Sequence, residues 1–303
     1  MQNIFSPLTK KNHVSFIKNI NASDIIELYK NYQIDVSKYF EGIKEVSVYK
    51  CDDTGYKFYY PLNLSGDGKF YEHFQQYDWY YMPWKWEHEI TVQYIKENST
   101  LLEVGCAHGA FIKKMNDLVP LKNSVGLELN QSAVAKNKKW EIKNQTIEFF
   151  SESNPEEFDT VCSFQVLEHI SDVHSFLESQ IKCLKKGGTL IISVPNNKSF
   201  INGIEACLNM PPHHMGLWDD DSLKALTRLF PLKLVNIHYE ELKEYHVSGY
   251  LESVYYAKYP LLVKKAVRKF HKSIGLYQKR HKDITNKRMG LLGHTILVSY
   301  EKI

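Results

Sequence analysis

Long apolar runs are missing from this 303-residue chain. No stretch of about 18 apolar residues occurs, which excludes an ordinary membrane-spanning helix. Cysteine is scarce. Cys51, Cys106, Cys162, Cys183 and Cys207 are scattered, odd in number and form no Cys-x-x-Cys pair. That excludes a disulfide framework and a cysteine zinc site, and it fits a reducing cytoplasm. Small buried thiols are the expectation. An excess of one charge is also lacking: 38 Lys and Arg against 35 Asp and Glu leave +3. Composition therefore gives no case for a nucleic-acid binder. The first residues, Met1 to Phe5, lack a basic segment followed by an apolar core, so no secretory signal is expected. What remains is 43% hydrophobic residues, enough for a substantial core, in a length that allows one large domain or two small ones.

The most informative stretch is Leu101-Leu102-Glu103-Val104-Gly105-Cys106-Ala107-His108-Gly109. Residues fit for a buried strand run into a small-residue turn. A helical pattern follows, with Phe111, Ile112, Met115 and Leu118 on one face. Strand, glycine turn and helix together bring backbone N–H groups close to a ligand. Such a turn alone is weak evidence, because it also occurs as a plain corner. Glu128 ends a second short apolar run, at a distance suited to an acid that accepts ribose hydroxyls. Otherwise it is a solvated strand end. A third apolar run covers Ile147 to Phe150. Phe158-Asp159-Thr160-Val161 then leads to Leu167-Glu168-His169, and Leu184-Lys185-Lys186-Gly187-Gly188 leads into Thr189 to Asn196.

In this order the motifs resemble those of class I S-adenosylmethionine-dependent methyltransferases, including bacterial glycan-pathway and ubiquinone-biosynthesis-like members. The resemblance covers roughly residues 90 to 240. It implies a Rossmann-like α/β fold: a doubly wound, mostly parallel seven-stranded sheet closed by an antiparallel C-terminal pair. Strands are expected near 100–105, 124–128, 147–150, 158–163, 189–194, 232–238 and 294–300. Residues 1–88 are expected as a small α+β segment, with a helix over 22–32 and a hairpin over 45–60 turning at Asp52-Asp53-Thr54-Gly55. Residues 89–303 form the catalytic domain, with a basic helical insertion over 250–290. Within it, Lys and Arg crowd 258–288, where Asp283 is the single acid of the basic run. A solvated amphipathic helix explains this, and peripheral contact with an anionic membrane is the alternative.

The resemblance also implies site residues. Glu103, Gly105, Cys106, Ala107, Gly109, Phe111, Glu128, Leu129, Glu152, Phe164, Gln165 and Val166 are expected to hold S-adenosyl-L-methionine, leaving S-adenosyl-L-homocysteine as product. Ala107 departs from the family's usual middle glycine. Tyr71, Phe74, Tyr77, Trp79, Tyr80, Tyr81, Trp84 and Trp86 form an aromatic cluster, half core and half lid. Tyr81, Trp84, Trp86 and Trp218 are candidates to touch the acceptor. A hydroxyl acceptor must lose a proton, and His169, His213 and His214 are the candidate bases. No metal site is expected, since no carboxylate or cysteine is placed by spacing beside the adjacent histidines.

The expected function is O-methylation of a sugar, glycan or sugar nucleotide; the Pro211-Pro212-His213-His214 segment resembles that of enzymes in polysaccharide pathways. O- or C-methylation of a small hydroxylated ring in quinone or natural-product synthesis is the alternative. A nicotinamide-dependent oxidoreductase and a cofactor-binding module without turnover are further readings. The later motifs argue against the former, and Ala107 keeps the latter open.

Overall fold

Alternate residues of a central strand face opposite sides, and here both sides are covered. In β4 (Thr100–Val104) Leu101 packs with Phe111, Met115, Cys162, Ile191 and Leu297. Leu102 and Val104 point the other way, into a cluster with Val161, Leu190, Ile192 and Val298. Burial on both faces explains the continuous apolar runs. Each fully buried Leu or Val contributes roughly 1.5–3 kcal/mol. The chain is described by a computed structural model, which covers all residues except 1–2, 75, 78–79, 81, 137–139 and 204–206.

Among the described residues, the strands are β1 (Val14–Asn21), β2 (Glu45–Cys51), β3 (Lys57–Tyr60), β4, β5 (Asn123–Leu127), β6 (Glu141–Lys143), β7 (Phe158–Phe164), β8 (Leu184–Pro195), β9 (Gly216–Leu217), β10 (Leu232–Glu241) and β11 (Leu292–Lys302). The large sheet has the order β10-β11-β8-β7-β4-β5-β6. Its β8-β7-β4-β5-β6 part is parallel, while β11 runs antiparallel to both β8 and β10. This is the doubly wound, seven-stranded arrangement with a closing antiparallel pair that the motif order implied. The smaller sheet, β1-β2-β3-β9, takes its last strand from the segment that follows the histidine pair. β1 is an edge strand with mostly exposed side chains, so no alternation marks it in the sequence.

The helices are α1 (Ala22–Tyr29), α2 (Gly68–Phe74), α3 (Trp86–Thr91), α4 (Ala110–Leu118), α5 (Gln131–Lys136), α6 (Ile147–Ser153), α7 (Val173–Cys183), α8 (Asp220–Lys224), α9 (Val247–Leu251), α10 (Leu261–Ser273) and α11 (Leu276–Lys287). Asp172 caps α7 through Ser175 N–H, and Asp219 caps α8 through Ser222 N–H. The basic insertion folds as α10 and α11, held by Arg268 on Glu252 and by Arg280 over the Tyr255 ring.

One strand lies elsewhere than the sequence pattern suggested. Residues 147–150 begin α6 rather than forming the third strand, whose place is taken by β6 at 141–143. Thr146 caps the helix by accepting from Phe149 N–H. Ile147, Phe150 and Ser151 are buried at helical spacing while Phe149 is 69% exposed. The apolar run is therefore one face of a helix plus one solvent-facing ring.

Candidate active site at the carboxyl edge of the sheet

Ligands of open α/β sheets bind beyond the carboxyl ends of the strands. At that edge β4 ends in a turn with three left-handed residues: Gly105 (φ 78), Ala107 (φ 47) and Gly109 (φ 71). Gly105 could not be replaced freely. A Cβ there would sit 2.5 Å from Val166 Cγ2. Ala107 accepts a conformation that costs an L-residue roughly 1–2 kcal/mol. The turn is pinned from below by Gly105 N–H and Cys106 N–H, both donating to the Leu127 carbonyl at 2.8 and 3.1 Å. Cys106 is buried, and burial raises its thiol well above the ordinary range, so it packs rather than reacts.

Glu128 closes the far side. One carboxylate oxygen accepts from Ala107 N–H and the other from Asn130 N–H, each at 2.8 Å. Each oxygen keeps a lone pair for a further donor. Glu103, at 4% exposure, has an Oε2 with no hydrogen-bond partner. Burial and the neighbouring Glu128 push its carboxyl up to about 8, against the opposing pull of Lys85. A buried, unpartnered carboxylate oxygen needs a donor from elsewhere. Gln165 Nε2, Glu168 Oε2 and Asn196 Nδ2 are likewise buried and unpartnered. They follow β7 and β8 at the same edge. Glu103 Oε2, Gln165 Nε2 and Asn196 Nδ2, beside a tight glycine turn, fit a cofactor bearing amino and hydroxyl groups. The cleft lined by Tyr94, Asp159, Lys185 and Thr189 lies at the opposite, amino end of the strands.

Rings build the next wall. Phe111 and Phe164 meet edge to face at 4.9 Å, and His88 touches both at 5.0 and 4.8 Å. Trp84 stacks on Phe111 at 6.1 Å, and Trp86 packs against the same cluster. Lys85 N–H donates to His88 Nδ1 at 3.1 Å. The Lys85 charge acts on Glu87, His88, Glu103, Glu168, His169 and His294.

Three histidines converge beside this space. A helical turn after β7 brings His169 N–H to the Val166 carbonyl at 2.9 Å, the residue that crowds Gly105. The loop before β9 carries His213 and His214. It is tied down by Tyr29 and Tyr59 hydroxyls on the carbonyls of Met210 and Asn209, and by Met215 N–H on the Glu168 carbonyl. His169 Nδ1 meets the His213 carbonyl at 2.6 Å, and His213 Nδ1 meets the Leu208 carbonyl at 2.8 Å. A carbonyl only accepts, so both Nδ1 atoms carry the proton. Ring centroids lie 4.5–4.9 Å apart across the trio. Burial holds His169 down to about 4 and pushes His213 and His214 well below the usual range. All three are neutral imidazoles near pH 7.

The predicted residues thus separate. Glu103, Gly105, Cys106, Ala107, Gly109, Phe111, Glu128, Phe164, Gln165 and Val166 gather around the turn, and His169, His213 and His214 form one cluster. Glu152 does not join them: it is exposed in α6 and paired with Lys182 at 2.6 Å. Its assignment followed from the misplaced third strand. The residues that follow β6 are Asn144 to Thr146, and Asn144 donates to the Glu128 and Leu129 carbonyls. Leu129 is 63% exposed at this rim. Trp218 is fully buried against the Tyr56 ring at 4.2 Å, a core position rather than an acceptor wall. Tyr81 lies outside the described residues. Lys85, Glu87, Glu240, His246 and His294 had no motif to mark them; the pairing of β10 with β11 brings Glu240 and His294 near, and His246 follows β10 to stack on His294 at 5.0 Å.

Comparison with known proteins gives the geometry its family. The model of a methyltransferase domain matches residues 71–242, more than half of the chain. The ubiquinone biosynthesis O-methyltransferase of Aliivibrio fischeri (strain MJ11) is 28% identical over 186 residues, covering 53% of this chain and 79% of that protein. A probable S-adenosylmethionine-dependent methyltransferase of Mycolicibacterium smegmatis is 26% identical over 138 residues, 43% of this chain and 52% of its own. Among solved structures, a chain of the complex between the Haloferax volcanii Trm112 methyltransferase activator and a methyltransferase superposes with a TM-score of 0.51. It is 14% identical and covers 78% of this chain and 93% of its own. The chain belongs to the class I S-adenosylmethionine-dependent methyltransferases.

Proposed function

We propose that this enzyme O-methylates a hydroxyl of a small ring-bearing acceptor. When bound, S-adenosylmethionine supplies a methyl already activated on its sulfonium, which leaves the protein alignment, desolvation and handling of the acceptor's proton. Glu103 orients the cofactor's amino group, the backbone from Gly105 to Gly109 lies along its methionine part, and Glu128 takes the ribose hydroxyls. Phe111, Phe164, Gln165 and Val166 line it, with Asn144 to Thr146 at the adenine end. Trp84, Trp86, Tyr71 and Tyr80 close the acceptor side and exclude water. Five free, buried cysteines are consistent with a cytoplasmic enzyme.

The observation that carries this reading is the neutral histidine trio beside the turn. A hydroxyl becomes a nucleophile only as its proton leaves, and imidazoles held as Nδ1–H tautomers keep an unprotonated nitrogen that can accept it. The name of the Aliivibrio fischeri relative supports a hydroxylated aromatic ring as acceptor. The sugar acceptor expected from the Pro-Pro-His-His segment loses one support, since Trp218 is buried. The test is transfer from methyl-labelled S-adenosylmethionine to catechols, hydroxybenzoates and hydroquinones, with sugar nucleotides in parallel. A label on a ring oxygen is the expected product. Transfer only to sugar nucleotides, or to nitrogen, would overturn the assignment.

A further inference from the structure

The trio has a geometry that proton abstraction alone does not require. Among the described residues, His169, His213 and His214 form the one group of histidine, cysteine or acidic side chains that places three ligand atoms within 4.8 Å of one another. His213 and His214 are each 6% exposed, and His169 is half-buried. All three rings have Nδ1 engaged. For His214 the partner is Asn209 Oδ1 at 3.1 Å, and that amide is oriented because its Nδ2 donates to Asn197 Oδ1. Metal-bound histidines are held in this way, with the second nitrogen on a carbonyl oxygen, so that tautomer and ring plane are fixed.

A fourth oxygen donor is at hand. Glu168 Oε1 lies 3.9 Å from His214 Nε2, too far for a hydrogen bond, and Glu168 Oε2 is buried with no partner. The Glu168 carboxyl thus faces His214 without a hydrogen bond to it and keeps Oε2 for a further partner. Lys85 is the cation whose field reaches it.

We infer that His169, His213 and His214, with Glu168, form a binding site for a divalent transition-metal cation of the zinc and cobalt class. Three imidazoles and one carboxylate favour such an ion over magnesium, which prefers oxygen ligands in an octahedron. Tyr80 now places its hydroxyl 3.0 Å from His213 Nε2, and the cation displaces that contact. Zinc–nitrogen bonds of about 2.0–2.1 Å set ligands roughly 3.4 Å apart, so the rings close by about 1.5 Å at most. A cation here would offer the acceptor's hydroxyl an oxygen-binding position. With the cation bound, the imidazoles would hold it and not take the proton themselves, and the cation would lower the pKa of the bound hydroxyl. This rests on the function proposed above and revises its proton step, while the binding site itself rests on the geometry alone.

The test uses the full chain, stripped with a chelator and titrated with cobalt chloride in the absence of cofactor and acceptor. The expected result is one equivalent bound with visible d–d absorption, displaced by zinc and unaffected by millimolar magnesium. His214→Ala should abolish the spectrum while S-adenosylhomocysteine still binds. Should that variant not fold, two gentler ones decide. Glu168→Gln should weaken cobalt binding by about tenfold or more, and Tyr80→Phe, which removes the competing hydroxyl, should tighten it about threefold or more. Folded protein that binds S-adenosylhomocysteine but takes up no cobalt or zinc overturns the metal site and leaves the methyltransferase reading standing. Cobalt binding indifferent to all three substitutions overturns it as well.

Discussion

Glu103→Gln separates the two demands on the buried carboxyl at the end of β4. Its acid is raised from 4.5 to about 8 by burial and by Glu128. Between those values the folded state keeps a proton that the unfolded state releases. A raised carboxyl therefore lowers stability as pH rises, by about 1.4 kcal/mol per pH unit across that window. At pH 7 the penalty is about 3 kcal/mol, and at pH 5 it is below about 1 kcal/mol. Glutamine keeps the shape and never ionises. The variant should thus be about 3 kcal/mol more stable than wild type at pH 7, with the gap closing towards pH 5. Glu168 and Glu240 carry raised acids in both proteins, at about 8 and about 7, so the difference isolates Glu103. Cofactor binding should move the other way. Losing one charge-assisted hydrogen bond of about 1.5–3 kcal/mol weakens S-adenosylhomocysteine by roughly 10- to 150-fold. Urea denaturation at pH 5, 6, 7 and 8, with calorimetric titration at pH 7, measures both. A stability gap that does not grow with pH, or an unchanged dissociation constant, would refute the reasoning.

Other substitutions probe neighbouring parts of the account. His213→Ala and His214→Ala should each lower turnover by about 10²- to 10⁴-fold, the range of acid–base catalysis, while the S-adenosylhomocysteine dissociation constant stays within about threefold in a titration. Unchanged turnover in both would leave His169 or a route without these rings. Ala107→Gly should raise stability by about 0.5–1 kcal/mol in denaturant melts, since relief of the left-handed strain exceeds the added chain entropy. Glu152→Ala should leave cofactor affinity and turnover unchanged in steady-state assays, because its partner is Lys182 on the outer surface.

The turn, Glu128 and the parallel strands were legible because each carries its cause locally. A left-handed turn needs small residues, and a strand buried on both faces needs an unbroken apolar run. Ile147 to Phe150 misled because four apolar residues in a row fit a strand as well as a helix, and only Thr146 as cap and the exposure of Phe149 decide between them. That error carried Glu152 with it. The histidine cluster was half visible. His213 and His214 are adjacent, but His169 joins them from a turn after another strand, and Glu168 was read only as part of a motif. Lys85 and Glu87 were hidden among the aromatic residues that surround them. Spacing reports neighbours along one element, whereas these groups meet only after parallel strands bring their carboxyl ends to one edge.

The central claim is that the cofactor sits on the turn from Gly105 to Gly109. Calorimetric titration of wild type and Gly105→Arg with S-adenosylhomocysteine, with NAD as a control, tests it most directly. The account predicts one saturable site for S-adenosylhomocysteine in wild type, none for NAD, and loss of binding in the folded variant, whose new side chain enters the space against Val166. Equal affinity in wild type and variant, or no binding by folded wild type, would contradict it.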